Sequence, residues 1–436
     1  MLKLASFIIG EDDYAAGPVA GQEALPDKTG SNLGNSAAWS LATGLFNIGS
    51  YREAVRLLQQ ERRNADLAMP YRIAMATEAA AIAIEGGEVA IARSELLWVD
   101  SIWCREGRPL DRCLVAHREL IAGDLEASHA KKQQRYRRSL AILAALSPGE
   151  GNPARTHLLA KAFHALSLSH DHQGEWTAAR NAARAAVEVI ERSDLSGSPL
   201  GLFVRANHVV RDARQYGNAD FALETLWECL RTALYRGWIP VVGDIAVHFI
   251  NLNLMCLQYP QALQWRRWIS RIDSSRLTAR TLNFLAVDTA HALTMLGQPR
   301  SALAVVRAEG DEGLAFLGAR AYWRSDALRA AGEAASALEL ATTALDQATA
   351  AGSSKGRARC QRVLASCHSA LGHRRVARKA AAECMDLSEW FVSPYDLMLS
   401  MKMARELDRH YDRDERRLVE LLRGRGAPTA FNPPSF

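Results

Sequence analysis

The chain has 436 residues, 48% of them hydrophobic and 23% charged, with a formal net charge of +5. That length exceeds what one compact core organises, and the composition excludes a disordered or fibrous chain. The small positive excess excludes an argument for nucleic acid from charge alone, and no apolar run approaches the ~20 residues a membrane-spanning helix needs.

Residues 1–34 stand apart. The opening MLKLASFIIG has one lysine and an apolar run too short for a secretory leader, and Glu11, Asp12 and Asp13 follow at once. A cytoplasmic protein with no membrane association is the expectation. Gly17, Pro18, Gly21, Pro26, Gly30 and Gly34 break any helical period, so 1–34 reads as an N-terminal arm and flexible linker. The seven cysteines are scattered without a CxxC, which fits thiols in a reducing compartment.

From Asn35 one pattern recurs. A helical segment ends at a glycine, and a small residue follows five positions later. The pairs are Gly49/Ala54, Gly87/Ala92, Gly123/Ser128, Gly174/Ala179, Gly217/Ala222, Gly297/Ala302, Gly332/Ala337 and Gly372/Ala377, with Leu257/Ala262 a ninth. Successive spacings are 38, 36, 51, 43, 40, 40, 35 and 40 residues. A period near 40 with this punctuation marks an α-solenoid. The fold expected is all-α, a right-handed solenoid of about ten antiparallel helix pairs over residues 35–423. The spacing of 51 accommodates an insertion at 147–153, after a helix expected over 125–146. A tenth pair is expected at 393–409 and 413–423, with a charged outer face suited to a cap. Residues 424–436 read as a loose tail.

The unit at Ala154 to Arg192 shows the pattern most fully, with helices expected over 154–172 and 176–192. It carries Phe163, Leu166-Ser167, His170, Gly174, Trp176 and Ala179; the first unit carries Leu41-Ala42, Leu45, Gly49, Tyr51 and Ala54. These residues resemble the tetratricopeptide repeat, although the units exceed its usual length and few carry its terminal proline. Longer, degenerate repeats of this kind are similar to the sensor solenoids of bacterial regulators such as the maltose-regulator family. No GxxxxGK[ST] occurs, and no segment is long enough for an NTPase or a helix-turn-helix domain.

Catalytic signatures are weak. Gly352-Ser353-Ser354-Lys355-Gly356 matches GxSxG, but it joins two helices where that motif needs a strand-to-helix elbow. Ser128-His129-Ala130-Lys131 matches SxxK without companion motifs. His170 and His172 are two apart and do not share a helix face, so no metal site is expected, nor any cofactor. The basic stretches Lys131–Arg138 and His373–Lys379 could meet phosphates, but a solvated outer face is the plainer reading. Trp98/Trp103 and Trp265/Trp268 read as core between repeats.

The resemblance implies that the first helix of each pair lines a concave groove, with inward positions about 13, 10, 6, 3 and 2 residues before each turn glycine. This selects Trp39, His117, Lys161, His164, Asn207, Arg211, Arg214, Asn251, His291, Tyr322, Asp326, Arg329 and Arg362. A buried helix face should not carry so many cations, so the face is expected to be open. Arginines hold carboxylates and amides bond peptide backbones. The function expected is a non-enzymatic, regulatory scaffold or adaptor binding a protein or acidic peptide in the groove. The alternative is a signal-sensing regulator that binds a small molecule or signalling peptide.

Overall fold

The computed structural model describes residues 37–106, 111–146, 153–216, 219–307, 317–388 and 394–407. Among them all regular structure is helical. Nine antiparallel pairs follow one another: α1 Ala37–Asn47 and α2 Tyr51–Arg62, α3 Met69–Glu85 and α4 Val89–Glu106, α5 Arg112–Asp124 and α6 His129–Ala144. Then come α7 Pro153–Gln173 and α8 Trp176–Glu191, α9 Pro199–Tyr216 and α10 Ala219–Arg236, α11 Ile239–Met255 and α12 Tyr259–Ile269. The last are α13 Ala279–Met295 and α14 Pro299–Arg307, α15 Leu317–Ala330 and α16 Ala334–Ala351, α17 Ser354–Ala370 and α18 Arg374–Ser388, and a further helix, α19, at Pro394–Glu406. The expected arm, the tail and the helix at 413–423 lie outside the described residues.

The turn glycines work as their spacing implies. Gly174 has φ +81°, its N–H reaches the Asp171 carbonyl, and the Glu175 N–H reaches back to the His170 carbonyl at 2.9 Å. That two-bond closure satisfies carbonyls the helix end leaves open. Leu257 adopts the same conformation at φ +60° with the same pair of bonds, although a side chain there costs roughly 1–2 kcal/mol. The alanine five residues on is closed off from solvent, as at Ala54, Ala179 and Ala337, so the second helix lies against the first.

The third unit departs from expectation. Gly123 is inside α5, where it lets Tyr136 approach: a methyl group there would sit 2.5 Å from Tyr136 Cε1. The turn is at 125–128 and α6 starts at His129, so Ala127 holds the place of the turn glycine and Lys132 that of the alanine. The glycine of the GxSxG match caps α16 in the left-handed conformation, and Ser353 Oγ caps α17 by accepting from the Gly356 N–H at 3.0 Å. It is a helix-to-helix joint.

The core runs between layers. Its largest cluster centres on Trp265, fully buried and stacked on Phe249 at 4.1 Å, with Trp268 at 5.5 Å. Lys131, Arg137 and Arg138 of α6 are exposed, and Arg135 and Arg138 reach Glu119 at 3.0 and 3.9 Å, whereas Lys132 turns inward toward Asp124. Cys229, Cys360, Cys367 and Cys384 are buried, whereas Cys104 is exposed.

The odd-numbered helices form the inner layer, and the superhelix is tight enough for its turns to touch. Helix α3 meets α13, and α7 meets α17, five pairs apart in both cases. In the first seam Tyr51 Oη donates to the Arg276 carbonyl at 3.3 Å, and Gly49 and Gly87 pack on Arg276 and Ala279. In the second, Ser353 Oγ donates to the His172 carbonyl at 3.3 Å and Lys355 Nζ lies 3.8 Å from Asp171.

Candidate functional site: the axial face of the inner helices

Residues three, four and seven apart share a helix face, and the inner helices turn polar stripes to the axis. Helix α3 offers Glu78 and Glu85, α5 His117 and Asp124, α7 His157, Lys161 and His164, α9 Asn207 and Arg211, α11 Asp244, His248 and Asn251, and α13 Arg280. Protein surrounds these groups, yet Glu78, Lys161 and His157 retain open side-chain surface. That combination fits side chains that line the interior, or lumen, of the superhelix.

The electrostatics follow from that confinement. Burial raises the Glu78 carboxyl above its ordinary range, and Lys161 opposes the rise. Burial, then Lys161 and Lys132 against it, sets Asp124 the same way; its carboxylate also accepts from Tyr136 Oη at 2.7 Å. Burial and the neighbouring Lys161 push His157 down to about 4, and burial, Lys161 and His157 hold His117 well below its ordinary value. These imidazoles are therefore neutral near pH 7. Burial works against the Arg280 charge, but Asp244, Glu85 and Asp124 outweigh it and raise the guanidinium. Arg280 lies 2.9 Å from Asp244, which also accepts from Thr281 Oγ1 at 2.6 Å, and its guanidinium covers the Phe203 ring at 4.5 Å.

The residues selected from sequence divide into three groups. Around the lumen, His117 Nε2 is 4.0 Å from Glu78, and Lys161 makes no ion pair or hydrogen bond among the described residues. His164 packs edge-on against Phe203 at 4.8 Å, Arg211 donates to the Ala179 carbonyl at 3.3 Å, and Asn207 donates to the Phe203 carbonyl at 2.9 Å. A second group lies further along the superhelix and is internally matched. Asn251 donates to Asp288 at 2.7 Å, His291 packs on Trp323 at 4.0 Å, Arg362 donates to Tyr322 Oη, and Arg329 pairs with Asp326 at 2.9 Å. Trp39, at the other end, packs half-buried on the first core cluster. The Arg214 side chain lies outside the described residues.

The expectation of an open face needs correction. His164 and Arg211 are each only 6% exposed, and His291, Tyr322, Asp326 and Arg362 are buried too. Contacts with the adjacent repeat close these faces: Arg211 reaches the Ala179 carbonyl, Arg362 the Tyr322 hydroxyl and His291 the Trp323 ring. Sequence reasoning missed His157 and Arg280. Both stand 17 residues before their turn residue, one helical turn beyond the family pattern, because these inner helices are longer than the pattern assumes. Asp124 was missed through the register of the third unit: counted from Ala127 it occupies the inward position three residues back.

Among the described residues no helix is long and apolar enough to cross a membrane, and no cluster of three or more metal-ligating side chains is present. His170 turns to Gln133 and Glu175, whereas His172 stacks on His129 at 4.8 Å.

No family model and no curated relative matches the sequence. Among solved structures, a Rap protein complexed with competence and sporulation factor is similar at 13% identity and a TM-score of 0.42, over 88% of this chain and 98% of that one. A circular tandem repeat protein with a novel repeat topology is similar at 14% identity and a TM-score of 0.13, over 88% and 86%.

Proposed function

We propose that this protein is a non-enzymatic regulatory receptor that takes a short, extended peptide along the axis of its superhelix. The observation that carries this reading is the set of axial charges that contacts within the chain leave uncompensated. Lys161 and Glu78 face the same interior from α7 and α3 without forming a pair. Helix faces that only pack on neighbours match such groups or do without them, as the second group of polar residues does. The seams that bring α3 to α13 and α7 to α17 close the superhelix on itself, which favours an extended segment over a folded partner. Acidic groups share the lumen with the cations, so the peptide is amphoteric, not simply acidic.

The test is retention of a random pentapeptide pool by the intact protein, read by mass spectrometry after size separation. Selective enrichment by the wild type, lost in Lys161→Glu, supports the reading. Retention no greater than that of an unrelated protein sinks it. Enrichment undiminished in Lys161→Glu moves the site away from the axis.

A further inference from the structure

The charges nearest the middle of the lumen restrict what the peptide carries there. Glu78 on α3, His117 and Asp124 on α5, Lys132 on α6, and His157 and Lys161 on α7 all face one region. Lys161 acts electrostatically on both Glu78 and Asp124, yet among the described residues it touches neither. Opposite charges that face one another attract across the space between them and close to contact unless the backbone holds them apart. Here they sit on three separate helices. Among the described residues Asp124 bonds the Tyr136 hydroxyl at 2.7 Å at the gap's edge, and Glu78 meets His117 at 4.0 Å.

We infer that the gap between Glu78, Asp124 and Lys161 binds a pair of opposite charges carried close together at one end of the peptide, its anion to Lys161 and its cation to Glu78 and Asp124. Two peptide ends have that chemistry: a free C-terminal carboxylate beside a basic last side chain, or a free N-terminal amine beside an acidic first side chain. His117 and His157, neutral near pH 7, flank the gap as hydrogen-bonding groups that add no charge. The inference rests on the peptide-receptor reading and specifies what that receptor recognises.

The test uses the full chain and the random pentapeptide pool in four forms: both ends free, N-acetylated, C-amidated, and both capped. The expected result is enrichment of peptides with one of the two charged ends and a tenfold or greater loss when that end is capped. Which cap abolishes retention tells the two ends apart. Glu78→Gln and Lys161→Gln, on different helices, should each reduce retention by a similar factor. The exchange Glu78→Lys with Lys161→Glu should restore part of it, which a merely structural role would not do. Equal retention of the doubly capped pool overturns the inference while leaving the receptor reading intact. Retention of no pool by the wild type overturns both.

Discussion

Replacing Gly49 with alanine separates the seam between superhelical turns from the local turn it belongs to. Gly49 has φ +83°, and a methyl group there would lie 2.6 Å from Arg276 Cα and 2.7 Å from Arg276 Cβ. Gly332 has a similar φ of +87° but open space around the same position. Both substitutions carry the left-handed strain of roughly 1–2 kcal/mol. Only Gly49→Ala adds a collision with the Arg276 backbone across the seam, beside the Tyr51–Arg276 contact, worth about 1–3 kcal/mol as overpacking. The Gly49 variant should therefore lose about 2–5 kcal/mol, and Gly332→Ala only the strain component. Denaturant unfolding measures the difference, and small-angle scattering should show a larger radius of gyration for Gly49→Ala alone. Equal destabilisation with unchanged scattering would refute the contact between turns.

Three further outcomes follow from the packing. Gly123→Ala forces the Tyr136 ring off its bond to Asp124 and should cost about 1–3 kcal/mol in thermal unfolding; a neutral result would place Gly123 in a turn after all. Trp265→Ala removes the centre of the largest core cluster and should cost about 3–5 kcal/mol, measurable as a lower denaturant midpoint. Burial holds His129 near 4 and His172 near 3, against an ordinary 6.5 for a solvated imidazole. In that interval the unfolded chain binds more protons than the folded one. Stability is thus complete above about pH 6.5 and falls as pH drops toward 4, by on the order of 3 kcal/mol for His129. The double variant His129→Gln with His172→Gln should show a shallower loss over that range, and an unchanged slope would remove the stacked pair from the acid response.

Much of the architecture was legible because turn chemistry repeats. A glycine that must take positive φ and an alanine that must admit a neighbouring helix leave a fixed spacing, and residues 154–172 and 176–192 emerge as Pro153–Gln173 and Trp176–Glu191. Gly123 misled for a related reason: a glycine also serves close packing, and spacing alone does not distinguish it from a turn. The site was less legible. Which inner-helix residues face the axis follows from helical periodicity, so Lys161 and His117 were selected. Whether that face is open depends on the pitch of the whole superhelix. The seam that sets the pitch joins Tyr51 to Arg276 through a backbone carbonyl, a contact with no sequence signature. Arg211 and Arg362, read as open cations, are buried because each bonds a group of the adjacent repeat, while Arg280, one helical turn beyond the pattern, went unselected.

The central claim is that the ligand lies along the axis, and hydrogen exchange tests it most directly. The protein alone would be compared with the protein saturated by the most strongly retained pentapeptide. Slowed exchange confined to the inner helices α3, α5 and α7, with α4, α6 and α8 unchanged, is the result this account predicts. Protection confined to those outer helices would contradict it.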